Sequence, residues 1–217
     1  MPDQPPIILL LAGATGAVGS AALTAALADA RIVHVVAPTR RALPTHAKLE
    51  NPVIDFRNLP ADAPWWRVDA VICTLGATIK AAGSEAAFTA VDRDLPMTIA
   101  KLARSAGATR FALNSSLGAS AKGNFYLRTK AEAEAGIRAL GFQSYTIVRP
   151  SIIDVTRAES RPGEAIGLAF ARVFRSLIPR RYRAVTPERI ARALLDGVMA
   201  GTAEERVIES EALLSLL

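Results

Sequence analysis

Apolar residues come in short unbroken runs, separated by longer segments in which apolar and polar positions mix. Ile7-Ile8-Leu9-Leu10-Leu11-Ala12 is the first such run. Unbroken apolarity without alternation predicts a strand buried on both faces, as in a parallel sheet. Gly13-Ala14-Thr15-Gly16-Ala17-Val18-Gly19 follows at once. Ser20 to Asp29 is rich in Ala and Leu and free of Gly and Pro, which predicts a helix. Ile32-Val33-His34-Val35-Val36 predicts a second strand, so the first forty residues read as a strand–turn–helix–strand unit.

The alternation continues. Strands are predicted over 53–56, 69–73, 110–114 and 145–149, and helices over 86–106 and 126–140. Pro96 predicts a kink or a second start inside the first of those helices. Gly141 stops the second, and Pro150 ends the last of the strands. This order predicts an α/β fold: a doubly wound parallel sheet, or Rossmann fold, with a small C-terminal substrate lobe. After Pro150 the pattern changes. Residues 152–163 lack a strong period, and 164–177 predict a helix. Thr186-Pro187-Glu188 has the chemistry of a helix start leading to Met199, and 206–209 a last strand. Residues 1–217 read as one domain, with a core of about 5–150 and a lobe of about 151–217 closing over the carboxyl edge of the sheet.

Composition narrows the function classes. Of 217 residues, 51% are hydrophobic and 21% charged, ordinary for a soluble globular protein. One cysteine excludes an internal disulfide framework, and with only two histidines no metal site is expected. The first apolar run is far shorter than a membrane span and no Lys or Arg precedes it, so neither a span nor a secretory signal is expected, and the location expected is cytoplasmic. A net charge of +6 keeps anionic partners open without choosing among them. Arg172, Arg175, Arg180, Arg181 and Arg183 read as a solvated face or, less simply, an anion patch. They lack the interleaved aromatics of single-strand binders, so nucleic acid is not the expected partner. A small-molecule substrate is, on a monomer or homodimer. Trp65 and Trp66 read as local packing, Cys73 as a small buried hydrophobe, and His34 and His46 have no triad partners in sequence.

Gly13, Gly16 and Gly19 lie between a buried strand and a helix, the context in which glycines serve phosphate binding. One glycine turns the chain, one removes a Cβ where a pyrophosphate approaches, and one lets helix and strand pack closely. The helix start then offers N–H groups and the positive end of its dipole to the phosphates. At the end of the second strand, where an NAD site places an acid, stands Thr39-Arg40-Arg41, with Arg40 21 residues beyond Gly19. A guanidinium pairs bidentately with phosphate oxygens, so NADP(H) is the preferred cofactor and NAD(H) a possible one. The bland reading of Arg40 and Arg41 is a solvated pair. Asp55 is a candidate for the adenine amino group with Phe56 against the ring, or else the plain end of a strand.

Tyr126 and Lys130 are four apart on a predicted helix and share one face. Ser115 and Ser116 close the preceding strand. Reduction of a carbonyl needs a hydride on carbon and a proton on oxygen. A tyrosine can donate the proton, a neighbouring Lys⁺ favours its phenolate and can hold the nicotinamide ribose, and a serine hydroxyl can steady the oxygen where charge develops.

Six motifs carry a resemblance: the glycine turn 13–19, Cys73-Thr74-Leu75-Gly76, Val91-Asp92-Arg93-Asp94, Asn124-Phe125-Tyr126-Leu127-Arg128-Thr129-Lys130, Val148-Arg149-Pro150 and Glu159-Ser160-Arg161-Pro162-Gly163-Glu164. In them the chain resembles the atypical short-chain dehydrogenase/reductases, in the Tat-interacting oxidoreductase group. The resemblance implies a Rossmann fold that binds NADPH. By it, Gly13 to Gly19, Arg40 and Arg41 contact the cofactor, and Leu75 and Gly76 form the loop beside it. It makes Tyr126 and Lys130 the catalytic pair, and places Pro150, Ser151 and Ile152 along the nicotinamide. Ser116 stands only ten residues before Tyr126, closer than in the better-known members. Either Ser115 or Ser116 is the substrate-facing serine, with Ser116 favoured. The relay asparagine of those enzymes has no clear match, and Asp92 is the candidate at that place. The expected activity is NADPH-dependent reduction of a small apolar carbonyl compound, in a pocket including Ile152, Ile153, Ile166, Leu168 and Phe170. The alternatives are a redox-inactive NADP(H) sensor and, more weakly, a nucleic-acid binder.

Overall fold

The computed structural model describes residues 5–154, 178–200 and 202–216. Seven parallel strands form one sheet: β1 (Ile7–Ala12), β2 (Ile32–Val36), β3 (Leu49–Glu50), β4 (Ala70–Cys73), β5 (Arg110–Asn114), β6 (Ser144–Arg149) and β7 (Glu205–Glu209). Their spatial order is β3-β2-β1-β4-β5-β6-β7. The chain winds outward from β1 to β3, then returns to the other side of β1 at β4. The crevice at the carboxyl ends of β1 and β4 is the switch point where such sheets bind ligands.

The unbroken apolar run of β1 follows from two-sided burial. Leu9 and Leu11 belong to one apolar layer, with Val18, Ala22 and Ala26 of α1 (Ala17–Ala28) and Ile190, Leu194 and Val198 of a late helix (Pro187–Met199). Leu10 and Ala12 belong to the opposite layer, with Ile99 and Ala103 and with Ile137 of the helix Phe125–Arg138. Every residue of both sets is nearly free of solvent.

Between β4 and β5 the chain forms α2 (Ile79–Ala82), α3 (Glu85–Thr89), a wide π-helical turn (Ala90–Asp94) and α4 (Leu95–Ser105). In that turn the Leu95 N–H reaches back five residues to the Ala90 carbonyl. Pro96 therefore marks a second start within a continuous helical course. The wide turn makes room for a ring that would strike the carbonyl four residues earlier in a regular helix. The Phe125–Arg138 helix is α5, Pro187–Met199 is α6 and Ser210–Leu213 is α7. Gly141, beyond α5, has the left-handed φ of 68° that ends a helix. Thr186 stands at the cap of α6, but its hydroxyl makes no capping bond, so Pro187 and Glu188 carry that start.

The expected strand over 53–56 is displaced. The third strand is Leu49–Glu50, paired with Val35–Val36, and Val53 makes only an isolated bridge to Thr39. Pro52 has no N–H to continue a ladder. The expected helix over 164–177 and most of the 152–163 segment lie outside the described residues.

Candidate active site

All strands run the same way, so the glycine turn after β1, Thr74–Gly76 after β4, Ser115–Ser116 after β5 and Pro150–Ile152 after β6 meet along one edge. Gly13 takes a left-handed φ of 93°. A Cβ there would lie 2.6 Å from Thr74 Oγ1 and 2.9 Å from the Leu75 nitrogen. At Gly19 it would fall 2.0 Å from the Gly13 carbonyl oxygen. These two glycines let the turn, α1 and β4 touch. At Gly16 a Cβ would meet only the Gly13 oxygen, at 3.5 Å, so its hydrogen faces open space. Gly16 also caps α1; no side chain caps that helix and its first turn holds no acid, which leaves N–H groups and a positive dipole end available. The Thr74 hydroxyl ties β4 to this turn, 3.1 Å from the Ala12 carbonyl and 3.2 Å from that of Gly13.

Arg40 and Arg41 are exposed on a firmly held loop. Buried Thr39 donates its hydroxyl to the Arg41 carbonyl at 2.7 Å. Asn51 donates to the Ala37 carbonyl at 2.5 Å and to Thr39 Oγ1 at 2.8 Å, and accepts from the Leu43 N–H at 2.7 Å. Sequence reasoning passed over Asn51, whose position gave no local signal. The Asp55 carboxylate is held by Arg57, nearest at 2.8 Å, which keeps it below the usual carboxylate range. Phe56 packs, partly buried, on the apolar layer that holds Leu10.

Tyr126 and Lys130 lie one turn apart on α5, with the Lys130 ammonium 6.0 Å from the phenol ring centroid. The ring of Phe88 backs Tyr126 at 5.4 Å. Lys130 Nζ is 2.7 Å from Asp92 Oδ1, and the two side chains are 8% and 0% exposed. The other oxygen of Asp92 accepts the Ala77 N–H at 2.8 Å. A Cβ at Gly76 would lie 3.5 Å from Lys130 Nζ, so the β4 loop approaches the ammonium closely. Asp92, the candidate at the place of the missing relay asparagine, is thus the partner of Lys130.

The two serines differ. Ser115 is buried and donates to Glu134 Oε1 at 2.5 Å, whereas Ser116 is half-buried and its hydroxyl has no partner among the described residues. Buried Glu134 also receives Arg149 Nε at 3.0 Å and Nη2 at 2.6 Å. This contact raises the Arg149 guanidinium above its ordinary value. Sequence reasoning missed Glu134, although Tyr126, Lys130 and Glu134 repeat at four-residue spacing. Beyond Arg149, the Pro150 carbonyl accepts the Leu117 N–H at 2.8 Å, and Ser151 Oγ donates to the Arg183 carbonyl at 2.6 Å. Ile152 is 68% exposed, and Ile153 bridges to Val185. Ile166, Leu168, Phe170, the 159–164 motif, Arg172 and Arg175 lie outside the described residues. Arg180 bonds Ser215 Oγ at 3.3 Å, and Arg181 stacks on Tyr182 at 4.6 Å. Trp66 is buried against Trp65, and its indole N–H meets the Pro60 carbonyl at 2.7 Å. Burial pushes the Cys73 thiol up to about 11, as befits an inert core residue.

A dinucleotide fits what is present. The turn leaves space at Gly16, the first turn of α1 is uncapped, and Asn114 Oδ1, at the carboxyl end of β5, is buried without a partner. Among the described residues no group of His, Cys, Asp and Glu could hold a metal, and no helix is long and apolar enough to cross a membrane.

A family model described as NAD(P)H-binding matches residues 13–180. Protein HTATIP2 of Rattus norvegicus is 33% identical over 218 residues, covering 96% of this chain and 88% of its own. The protein named fmp52, mitochondrial, of Emericella nidulans is 37% identical over 172 residues, 74% of this chain and 73% of its own. Among solved structures, MoeE5 in complex with UDP-glucose and NAD superposes with a TM-score of 0.69 at 17% identity, covering 96% of this chain and 79% of that one. UDP-glucuronic acid 4-epimerase from Bacillus cereus, in complex with UDP-glucuronic acid and NAD, gives 0.68 at 14% identity, covering 93% and 77%. At such identities the structural likeness speaks for the fold.

Proposed function

The chain belongs to the NAD(P)H-binding family, and on that premise we propose that it is an NADPH-dependent oxidoreductase reducing a small, apolar carbonyl compound. The observation that carries this reading is the pairing of Tyr126 with Lys130, which stands beside Gly76 on the edge that also holds the glycine turn.

NADPH supplies the hydride when bound. The uncapped first turn of α1 and the open face of Gly16 receive the pyrophosphate. Arg40 and Arg41, on the loop braced by Thr39 and Asn51, take the 2′-phosphate. Lys130, anchored by Asp92, presents its ammonium to the nicotinamide ribose. Leu75, Gly76, Pro150, Ser151 and Ile152, on loops at the same sheet edge, would line the bound cofactor. The Ser116 hydroxyl donates to the substrate oxygen where negative charge develops, and the Tyr126 phenol gives that oxygen its proton. Exposed Ile152 offers apolar surface to the substrate.

Calorimetric titration with NADPH and NADH tests the cofactor. Arg40→Ala with Arg41→Ala is expected to weaken NADPH roughly ten- to a hundredfold while leaving NADH unchanged, the loss of one or two charge-assisted contacts. Equal affinity of the unaltered protein for both cofactors overturns the NADPH preference. NADPH consumption against a panel of aldehydes and ketones tests the reaction, with Tyr126→Phe as the inactive control. Tight cofactor binding with no turnover across the panel favours the redox-inactive sensor instead.

A further inference from the structure

We infer that Glu134 is the positioning residue of this site: from one buried carboxylate it sets where the carboxyl ends of β5 and β6 stand relative to Tyr126 and Lys130. The inference rests on the reductase reading for its catalytic consequence, but not for its geometry.

Glu134 follows Lys130 as Lys130 follows Tyr126, each by four residues, so the three side chains stack along one face of α5. Tyr126 and Lys130 serve the reaction, while Glu134 lies one turn deeper, its side chain 3% exposed. Its two oxygens are shared between two strands. One accepts the Ser115 hydroxyl at 2.5 Å, from the residue just past β5, and Arg149 Nε at 3.0 Å from the end of β6, and the other accepts Arg149 Nη2 at 2.6 Å. Arg149 reaches on to Glu209 Oε1 of β7 at 3.0 Å. The backbone carbonyl of Glu134 accepts the buried Tyr145 phenol at 3.3 Å.

The chemistry of the site hangs from these anchors. Ser115 directly precedes Ser116, the oxygen-stabilising hydroxyl, and Arg149 directly precedes Pro150, where the nicotinamide flank begins. The two strand ends are further joined by Ser115 N–H to the Val148 carbonyl at 2.7 Å and Leu117 N–H to the Pro150 carbonyl at 2.8 Å. A rotation of the β5 end about Ser115 therefore moves Ser116 against Tyr126. A shift of this kind has a steep effect on rate, because reaction needs the groups at near-attack distances. A buried carboxylate would be a costly device for stability alone, since a buried ion pair returns little over apolar packing.

The test uses Glu134→Gln, Ser115→Val and Ser115→Thr in the full chain, each saturated with NADPH. Two readouts are taken: hydrogen exchange of the amides in 114–118 and 150–152, and turnover of whichever carbonyl compound the unaltered protein reduces. Glu134→Gln and Ser115→Val are expected to speed exchange in those two segments while β1 and β4 stay protected. They are also expected to lower kcat about ten- to a hundredfold with NADPH affinity within about twofold. Ser115→Thr keeps the hydroxyl and is expected to restore both. A purely structural role would instead lower the melting temperature alike in Val and Thr variants, with kcat of the folded protein unchanged, and that result overturns the inference. If Glu134→Gln fails to fold, the Ser115 pair decides alone. If the unaltered protein reduces nothing, the reductase reading falls and exchange alone decides: unchanged protection in the Val variant overturns the positioning role, and selective loss supports it.

Discussion

Lys130 and Asp92 form an ion pair almost sealed from water, and a double-mutant cycle measures what that means. An exposed pair such as Arg192–Asp196, with side chains 60% and 44% exposed, is screened, and Asp196→Asn should cost about 0.5 kcal/mol or less. The buried pair behaves otherwise. Lys130→Met leaves the Asp92 carboxylate, 0% exposed, with the Ala77 N–H as its remaining donor. Asp92→Asn leaves the ammonium against a neutral amide. Removing one partner of a buried pair costs about 3–5 kcal/mol, because the other charge stays desolvated. At roughly 2–4 °C per kcal/mol for a chain of this length, each single change should lower the melting temperature by about 6–20 °C. The double variant Asp92→Asn with Lys130→Met keeps an acceptor for Ala77 and strands no charge. It should recover about 2 kcal/mol or more over the sum of the single losses. Urea unfolding followed by circular dichroism gives all four stabilities, provided the slopes agree. Single losses near 1 kcal/mol that simply add would refute the reasoning and mean that water reaches the pair.

Two further expectations come from other parts of the fold. Gly19→Ala puts a methyl group 2.0 Å from a backbone oxygen and should cost several kcal/mol, about 3 or more. Gly16→Ala, with 3.5 Å of clearance, should change the unfolding free energy by no more than about 1 kcal/mol and yet weaken NADPH by tenfold or more; equal destabilisation of the two variants would contradict the roles given to these glycines. The buried Cys73 thiol, raised to about 11 from 9.0, stays protonated in the fold where the unfolded chain ionises. Its contribution is therefore full below pH 9 and declines as the pH climbs to about 11, by roughly 3 kcal/mol in all. Cys73→Ala should flatten that alkaline decline in denaturation curves, and a decline of unchanged steepness would assign it elsewhere.

What could be read from the residues was what local pattern encodes. β1 and β5 stand where their apolar runs predict, because helices cover both faces and keep polar residues out of the strand interiors, Arg110 and Asn114 standing only at the two ends of β5. The third strand escaped because two residues of ladder, Leu49–Glu50, carry no period of their own; partners on β2 and the stop at Pro52 define it. The same division holds at the site. The glycine turn and the Tyr126–Lys130 spacing are local and legible. The Lys130–Asp92 pair joins residues 38 apart, and Glu134 joins Ser115 to Arg149 across three elements. Such contacts arise only once the sheet has set its strand order, so no window of sequence contains them.

The π-helical turn at Ala90–Asp94 makes the helical course ahead of α4 intolerant of changes in length. A residue subtends about 100° of a helix. Loss of a single residue there would let the segment wind regularly, and everything upstream would swing by that angle about the axis. Either Phe88 would leave the ring of Tyr126 or Asp92 would leave Lys130, since both face α5 from opposite ends of the same short stretch. One amino acid of slack, carried as a bulge, keeps two partners in phase.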